Sequence, residues 1–186
     1  QASFKIMDYA VENGITFFDT ASAYGDGASE KILGDWIADR RTVSDNILIA
    51  IKILPPYDSG SIVESVNRSL QRLGTDAIEL LYLPRWDATI EDPGALAAFN
   101  ELIKIGKVKM FGVSNFDEVQ LDNVLRLQKK DGFNLFQSIQ NNNNYAVRDI
   151  SKKMEQICMD HDIKTVTYSP LGAGFLTGKY KNGVGE

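Results

Sequence analysis

The segment that decides the fold is Glu79–Asp87, "ELLYLPRWD". It opens with an unbroken apolar run from Leu80 to Leu83 and closes with a proline, a cation, an aromatic ring and a carboxylate. An apolar run without alternation is typical of a strand buried on both faces in a parallel sheet. Proline carries neither an N–H group nor a titratable group, so Pro84 stands unexpectedly at the end of the strand, where side chains reach a ligand.

Apolar strands alternate with helices along the whole chain. The predicted strands are "ITFFD" (15–19), "NILIAIK" (46–52), "IELLYL" (78–83), "VKMFGV" (108–113), "FQSIQ" (136–140) and "KTVTY" (164–168). Apolar residues at helical spacing predict helices over 2–13, 29–37, 61–73, 94–105, 117–130 and 149–160. Short strands alternating with longer helices indicate repeated βαβ units, hence a parallel α/β sheet within one domain, 1–186.

Composition excludes several classes of function. The net charge of −5 and the scattered basic residues argue against a nucleic-acid or anionic membrane surface. One cysteine, Cys158, rules out an internal disulfide, and with one histidine it argues against a zinc site, so we expect no metal. No apolar run is long enough to span a membrane and no signal peptide is visible, so we expect a cytoplasmic protein.

Every predicted strand ends in a polar or otherwise unusual residue. These residues are Asp19, Lys52, Pro84, Ser114 followed by Asn115, Gln140, and Tyr168 followed by Ser169. The carboxyl ends of parallel strands face the ligand in α/β folds, so we expect these side chains to converge on one mouth. A charged residue at a strand end also marks where a strand meets water, but that explanation fits single residues better than the whole series.

Three of these residues suit proton transfer. Asp19 and Lys52 end neighbouring strands and Tyr24 follows the first of them, so an Asp–Lys ion pair is expected beside a phenol. A cation favours the phenolate form and makes a tyrosine a better general acid near neutral pH. The cluster therefore suits proton donation to an oxyanion that forms at a carbonyl carbon. The alternative is a salt bridge packed beneath a loop tyrosine.

The later strands supply groups suited to a flat, amide-bearing ligand. Ser114, Asn115 and Gln140 offer the donors and acceptors that a carboxamide needs, and Tyr168 could stack on a ring. The segment "SPLGAGFLTGK" (169–179) has spaced glycines whose N–H groups could surround phosphate oxygens, although such a segment is often only a flexible connection. There is no GxGxxG motif, so a Rossmann dinucleotide site is not supported.

Taken together, the motifs resemble those of the aldo-keto reductases over about residues 4–180. They are "FFDTASAYGDGASEKILG" (17–34), "IAIK" (49–52), "LLYLPRWD" (80–87), "GVSNF" (112–116) and "YSPLGAGFLTGKY" (168–180). The resemblance implies a (β/α)₈ barrel of the TIM type and an NADP(H)-dependent carbonyl reductase. Its catalytic Asp, Tyr and Lys would be Asp19, Tyr24 and Lys52.

The resemblance also implies the cofactor and substrate contacts. The expected cofactor-binding residues are Asp19, Ser114, Asn115 and Gln140 around the nicotinamide carboxamide, Tyr168 against the ring, and Ser169, Pro170, Leu171, Gly172 and Gly174 over the pyrophosphate. Tyr24 and Trp86 are expected to contact the substrate, a small carbonyl compound or alcohol. Asn143 stands where the family often has an aromatic residue, which favours a hydroxylated, sugar-like substrate.

Two departures from the family pattern stand out. Pro84 occupies the position of the family's substrate-orienting histidine, and His161, the only histidine, lies at a helix end and is no substitute. Loss of one oxyanion donor typically costs about 2.7–4 kcal/mol of transition-state stabilisation. The family's first and last barrel strands are also absent, which leaves about six βα units and two exposed sheet edges.

Three explanations of the missing strands remain open. The chain begins with Gln1, so we expect the 186 residues to be part of a longer protein. Alternatively, a partner or a swapped copy fills the gap, so that oligomers form through the open edges, or the protein is a shortened family member. Because of Pro84, a lyase or epimerase on the same scaffold and a non-catalytic cofactor-binding relative remain alternatives to a reductase.

Overall fold

The computed structural model describes residues 2–40 and 46–181, and its strands form one six-stranded parallel sheet. The strands are β1 (Phe17–Asp19), β2 (Leu48–Lys52), β3 (Ile78–Leu83), β4 (Val108–Ser114), β5 (Ser138–Asn142) and β6 (Lys164–Tyr168). They pair in chain order, each parallel to the next, with β1 and β6 at the edges. The predicted α/β class with repeated βαβ units is confirmed.

One helix precedes β1, and one helix lies between each pair of successive strands. They are α1 (Ala2–Glu12), α2 (Ala28–Asp39), α3 (Ser59–Leu73), α4 (Pro93–Lys104), α5 (Glu118–Lys130) and α6 (Lys152–Asp160), with 3₁₀ segments at Ala88–Glu91 and Gly172–Thr177. Side chains of Asp58, Asp92, Asp117 and Ser151 cap α3 to α6 by accepting hydrogen bonds from backbone N–H groups of the first turn.

The predicted starts of three strands, β1, β2 and β5, were each two residues too early, and contacts of the folded chain explain two of them. The Ile15 amide bonds to the Ala10 carbonyl at the end of α1 (2.9 Å), so that residue belongs to the helix terminus rather than to β1. The buried Gln128 side chain accepts from the Phe136 amide (3.3 Å) and donates to the Asn134 carbonyl (2.9 Å). That segment is therefore fastened to α5, and β5 begins at Ser138.

A contact between β1 and β5 shows that the sheet curls. The Gln140 Nε2 donates to Asp19 Oδ2 at 2.8 Å, although three strands lie between these two in the sheet. A flat sheet would hold such residues far apart, because neighbouring strands are spaced about 4.8 Å. The six strands therefore form part of a barrel wall, as expected for an incomplete (β/α)₈ barrel.

The alternation of side chains separates the main core from the inner face of this wall. Ile51, Leu81 and Phe111 point outward into the large cluster shared with the helices. Ala50, Leu80 and Tyr82 form a second, smaller cluster on the opposite face. Because strand side chains alternate with a period of two, Lys52 shares the inner face with Ala50 and is directed toward the barrel interior.

Gly112 lies on β4 at a point where the inner face has no room for a larger side chain. Its partners in the sheet are Tyr82 on β3 and Ser138 on β5. A Cβ there would lie 2.6 Å from Tyr82 Cε1 and 2.8 Å from the Ser138 carbonyl oxygen.

We expect Gly112→Ala to lower the free energy of unfolding by about 1–3 kcal/mol, the usual cost of overpacking. Urea denaturation measures this, with Gly60→Ala in the first turn of α3 as a control that meets ordinary contact distances. Equal stability of the two variants would contradict the packing argument.

An aspartate fastens α1 to α2. The buried Trp36 donates from Nε1 to Asp8 Oδ1 at 2.8 Å, and Arg40 donates to both Asp8 oxygens at 3.0 and 3.1 Å. The hydrogen bonds from Arg40, and then that from Trp36, lower the pKa of Asp8 below its ordinary value of 3.8. The charged carboxylate therefore stabilises the folded state.

This contact predicts a pH-dependent difference in stability. A lowered folded-state pKa means that the contribution is complete above the unfolded value and is lost as pH falls through the folded one. We expect Asp8→Asn to unfold more easily than the unchanged chain at pH 7, with the difference shrinking as pH falls below 3.8. Urea denaturation of both proteins between pH 7 and pH 2 checks this. A difference that stays constant with pH would show that the charge is not involved.

Candidate active site

A cavity of about 250 Å³ opens at the carboxyl ends of the strands. It is lined by Asp19, Ala21, Ala23, Tyr24, Lys52, Leu54, Pro84, Ser114, Asn115, Gln140 and Tyr168. Residues from the ends of all six strands, or from the loops that directly follow them, thus meet in one place. Sequence reasoning placed seven of the eleven in the site as catalytic or cofactor-binding residues, and it singled out Pro84 as the departure.

An ion pair with Asp19 holds the buried Lys52 ammonium in the site. Lys52 is only 6% exposed, and its ammonium group donates to Asp19 Oδ1. The second carboxylate oxygen of Asp19 accepts from Gln140 Nε2, so both oxygens are used. A buried charge is tolerated when it is paired and hydrogen-bonded, and these contacts hold the Lys52 ammonium in one position.

Two tyrosine rings flank this ammonium group at nearly equal distances. Lys52 Nζ lies 5.6 Å from the Tyr24 ring centroid and 5.7 Å from the Tyr82 ring centroid. Tyr82 is fully buried, its hydroxyl is hydrogen-bonded to Ser138 Oγ at 2.6 Å, and burial raises its pKa. Tyr24 is 49% exposed and lines the cavity, so of the two tyrosines beside Lys52 it is the one that can reach a ligand.

Asn115 organises the other half of the site. Its Nδ2 donates to the Pro84 carbonyl at 2.9 Å and to Ser114 Oγ at 3.2 Å, while its Oδ1 accepts from the Tyr168 hydroxyl at 2.7 Å. Its backbone has a positive φ of 57°, which asparagine tolerates better than most residues. Its amide N–H donates to Asn141 Oδ1 at 2.7 Å. The side chain is therefore held in one orientation at the cavity.

Pro84 lies in the loop after β3 and lines the cavity, and hydrogen bonds hold the backbone of this loop in place. The Tyr57 hydroxyl donates to the Arg85 carbonyl at 2.8 Å, and Asp87 Oδ1 accepts from the Thr89 amide at 3.0 Å.

Trp86, which was expected to contact the substrate, does not line this cavity. Its ring packs against the main core, and its Nε1 finds no hydrogen-bond partner among the described residues. The expected pocket wall is formed instead by Leu54, Ala21 and Ala23.

The segment after β6 lies beside the cavity rather than in its lining. Ser169, Gly172 and Gly174 have positive φ angles of 55°, 55° and 93°. Leu171 is 56% exposed, and Pro170 lines a separate cavity of about 380 Å³. The Ser169 carbonyl accepts from Asn144 Nδ2 at 2.9 Å, which ties the segment to the loop after β5. A phosphate-binding role for residues 169–174 stays a prediction.

A sugar-like substrate was inferred from Asn143, and the position of this residue in the structure does not support that inference. Asn143 lines the separate cavity together with Pro170, so it does not make the main cavity polar. The side chains that follow β1 to β3 around the main cavity are largely apolar: Ala21, Ala23, Leu54 and Pro84.

Sequence reasoning missed the buried residues that hold the cavity-lining residues in place through hydrogen bonds. Asn141 is 3% exposed, accepts from the Asn115 amide and donates from Nδ2 to the Phe116 carbonyl at 3.0 Å. Tyr82 and Ser138 form the buried floor. The sequence held one signal for Asn141, because it is a polar residue at a helix-facing position of a buried strand. A buried amide side chain normally hydrogen-bonds to backbone groups, so this position indicated a supporting role.

Within residues 2–40 and 46–181, no three acidic, histidine or cysteine side chains are grouped so that they could hold a metal ion. In the same part of the chain, no helix combines the length and the apolar character that a membrane span requires.

Comparison with known proteins identifies the family. A family model described as "Aldo/keto reductase family" matches residues 1–184. The chain belongs to the aldo/keto reductase family. It is 31% identical to norsolorinic acid reductase B of Aspergillus parasiticus, covering 94% of this chain and 49% of that protein. It is 34% identical to the aldo-keto reductase str7 of Strobilurus tenacellus, covering 96% of this chain and 53% of that protein.

A solved aldo/keto reductase has a similar fold. The crystal structure of the Klebsiella pneumoniae enzyme in complex with NADP and acetate matches with a TM-score of 0.82 and 26% identity, over 96% of this chain and 62% of that one. The present aldo/keto reductase chain spans about half the length of the curated relatives it matches. It therefore contains the six-stranded part of a larger family fold.

Proposed function

We propose that this aldo/keto reductase chain is part of an NADP(H)-dependent oxidoreductase that reduces an aldehyde or ketone to an alcohol, with Tyr24 as general acid. The observation that carries the proposal is the position of the Tyr24 ring, 5.6 Å from the buried Lys52 ammonium and open to the cavity. A cation beside a phenol stabilises the phenolate left after proton donation. The fixed Asp19 keeps that cation in place.

The residues of the β4–β6 half fit a nicotinamide cofactor. Asn115 and Gln140 present amides at the cavity, and Tyr168 presents an aromatic ring. The Lys179 ammonium lies beside the backbone of Gly174, so this segment has a cation that could face a phosphate group. We assign the carboxamide to Ser114, Asn115 and Gln140, the ring to Tyr168, and the pyrophosphate to residues 169–174.

The chemistry then divides between cofactor and protein. Bound NADPH would supply the hydride. The carbonyl compound gains that hydride at carbon and the Tyr24 proton at oxygen, and becomes an alcohol. Lys52 stabilises the Tyr24 phenolate until solvent returns the proton. Asp19 and Gln140 keep the ammonium group oriented without taking part in the proton transfer.

Pro84 keeps two other functions open, and one experiment separates all three. The full-length protein is titrated with NADPH while tryptophan fluorescence is followed, and is then supplied with a panel of aldehydes and ketones. A reductase binds NADPH and consumes one equivalent for each alcohol formed. A lyase or epimerase converts its substrate with no net change in nicotinamide absorbance. A non-catalytic relative binds NADPH and turns over nothing.

A further inference from the structure

We propose that Arg72 is a positioning residue, which holds Tyr24 where it can donate its proton. Arg72 belongs to the last turn of α3 and does not line the main cavity, so it acts on the reaction only through the segment that carries Tyr24. We call this segment, residues 20–27 between β1 and α2, the Tyr24 loop. The inference rests on the proposed role of Tyr24 as general acid and adds a residue outside the cavity to it.

The backbone of the Tyr24 loop has an uncommon conformation. Gly25, Asp26 and Gly27 follow one another with positive φ angles of 59°, 52° and 84°. Residues other than glycine adopt this region at a cost in free energy, so contacts elsewhere have to stabilise it at Asp26. The Tyr24 side chain is half exposed, so packing around its ring does little to hold it. The direction of the phenol therefore depends on the contacts that fix the loop backbone.

The first part of the loop is fixed by β2. The Ser22 amide and hydroxyl both donate to the Lys52 carbonyl, at 3.3 and 3.2 Å. The last part leads into α2 through Gly27, which has no side chain and therefore gives the helix no side-chain cap. Another group has to hold Gly27 if Tyr24 is to be fixed from both sides.

Arg72 is the group that holds Gly27. Its side chain lies directly on the glycine backbone, because a Cβ at Gly27 would lie 2.7 Å from Arg72 Cδ and 2.8 Å from Arg72 Nε. Two partners fix the guanidinium there: Nε donates to Glu30 Oε2 at 2.6 Å, and Nη2 donates to Ser69 Oγ at 3.2 Å. Glu30 is fully buried in the first turn of α2, so the guanidinium joins α3 to the helix that follows the Tyr24 loop.

The contact is firm because Glu30 depends on Arg72. Glu30 Oε1 has no hydrogen-bond partner among the described residues, and the guanidinium is the cation paired with this buried carboxylate. Loss of the partner of a buried charge is strongly unfavourable, so conformations in which Arg72 leaves Glu30 are rarely populated. The backbones are equally close, because a Cβ at Gly34 on α2 would lie 2.6 Å from the Arg72 carbonyl oxygen. The end of α3 is therefore a rigid support for the Tyr24 loop.

The first test replaces the guanidinium in the full-length protein. Arg72→Lys keeps the positive charge that Glu30 requires, but it removes the planar group over Gly27. Its matched control is Arg68→Lys, one turn earlier on α3, where the arginine pairs with Glu64 and both side chains are more than half exposed. Because a displacement of about 1 Å in a reacting group can cost about 10²-fold, we expect Arg72→Lys to lower kcat by about 10–100-fold. We expect Arg68→Lys to behave like the unchanged protein.

A second pair of variants disturbs the same contact from the loop side. Gly27→Ala places a methyl group against Arg72, so the loop and the guanidinium have to separate. Its control is Gly14→Ala, which has a similar positive φ of 82° but meets no atom within 4 Å, so it carries the backbone strain without the collision. We expect kcat to fall in Gly27→Ala and to stay near that of the unchanged protein in Gly14→Ala. NADPH affinity, measured by tryptophan fluorescence, should change little in all four variants.

A double-mutant cycle separates positioning of Tyr24 from general support of the fold. Arg72→Lys is combined with Tyr24→Phe, and residual alcohol formation is quantified by chromatography with the best substrate of the carbonyl panel. If Arg72 acts through the phenol, Tyr24→Phe leaves nothing for Arg72→Lys to lose, and the single and double variants have equal residual kcat. Circular dichroism and thermal unfolding establish that each variant is folded at the assay temperature.

Three results would overturn the inference. One is a fall in kcat of the same size with and without the Tyr24 hydroxyl, since Arg72 would then support the fold in general. The others are an unchanged kcat in folded Arg72→Lys, and equal kinetics of Gly27→Ala and Gly14→Ala. Full activity of Tyr24→Phe would overturn the general acid itself, and the role of Arg72 with it. That outcome is recognised from Tyr24→Phe alone, before any Arg72 variant is compared.

Discussion

Replacing Pro84 by histidine is expected to raise kcat/KM for aldehydes by about 10²–10³-fold, the usual value of one oxyanion donor. Pro84 lines the cavity directly after β3, on a loop braced by the bond from the Tyr57 hydroxyl to the Arg85 carbonyl. The hydrogen bond from Asn115 to residue 84 uses the backbone carbonyl, which histidine retains. The substitution therefore adds a donor to the cavity without removing this known hydrogen bond.

The control for this prediction is Pro84→Ala, which removes the pyrrolidine ring but adds no donor. We expect its steady-state kinetics to stay near those of the unchanged protein, and circular dichroism to show all three proteins folded. An equal gain in Pro84→Ala and Pro84→His would mean that the proline ring blocks the substrate sterically. No gain in folded Pro84→His would show that residue 84 does not face the reacting oxygen.

Replacing Tyr24 by phenylalanine is expected to lower kcat by about 10²–10⁴-fold, because the substrate oxygen loses its general acid. NADPH affinity is expected to change little, since the proposed cofactor contacts come from β4 to β6. Stability is expected to change little as well, because the Tyr24 side chain is half exposed. Steady-state kinetics, a fluorescence titration with NADPH and thermal unfolding measure the three quantities.

The matched control is Tyr82→Phe, since the Tyr82 ring lies almost as close to Lys52 Nζ as the Tyr24 ring does. It breaks the buried hydrogen bond to Ser138, so we expect it to lower the free energy of unfolding by about 1–3 kcal/mol. Its kcat should stay within a few-fold of the unchanged protein at temperatures where it is folded. The reverse result, with Tyr82→Phe inactive and Tyr24→Phe active, would reassign the acid to Tyr82.

Much of the fold was predictable because strands and helices leave periodic signals. The apolar runs of β2 and β3 and the glycine at the end of α3 are local features, and the structure has them close to the predicted positions. The starts of β1 and β5 were not predictable in this way. They depend on the cap that Ile15 completes at the end of α1 and on the reach of the Gln128 side chain, which are contacts of the folded chain.

For the site, the sequence alone determined which chemical groups the strand ends carry, because parallel topology sends those ends to one edge. It also showed the proline at residue 84. Only the tertiary structure decided how these groups pair. The curl of the sheet brings Gln140 to Asp19. In the folded chain Tyr82 is buried while Tyr24 stays open, and neither Trp86 nor Asn143 lines the main cavity. Orientation and hydrogen-bond partners depend on residues distant in the chain, so no local pattern of residues encodes them.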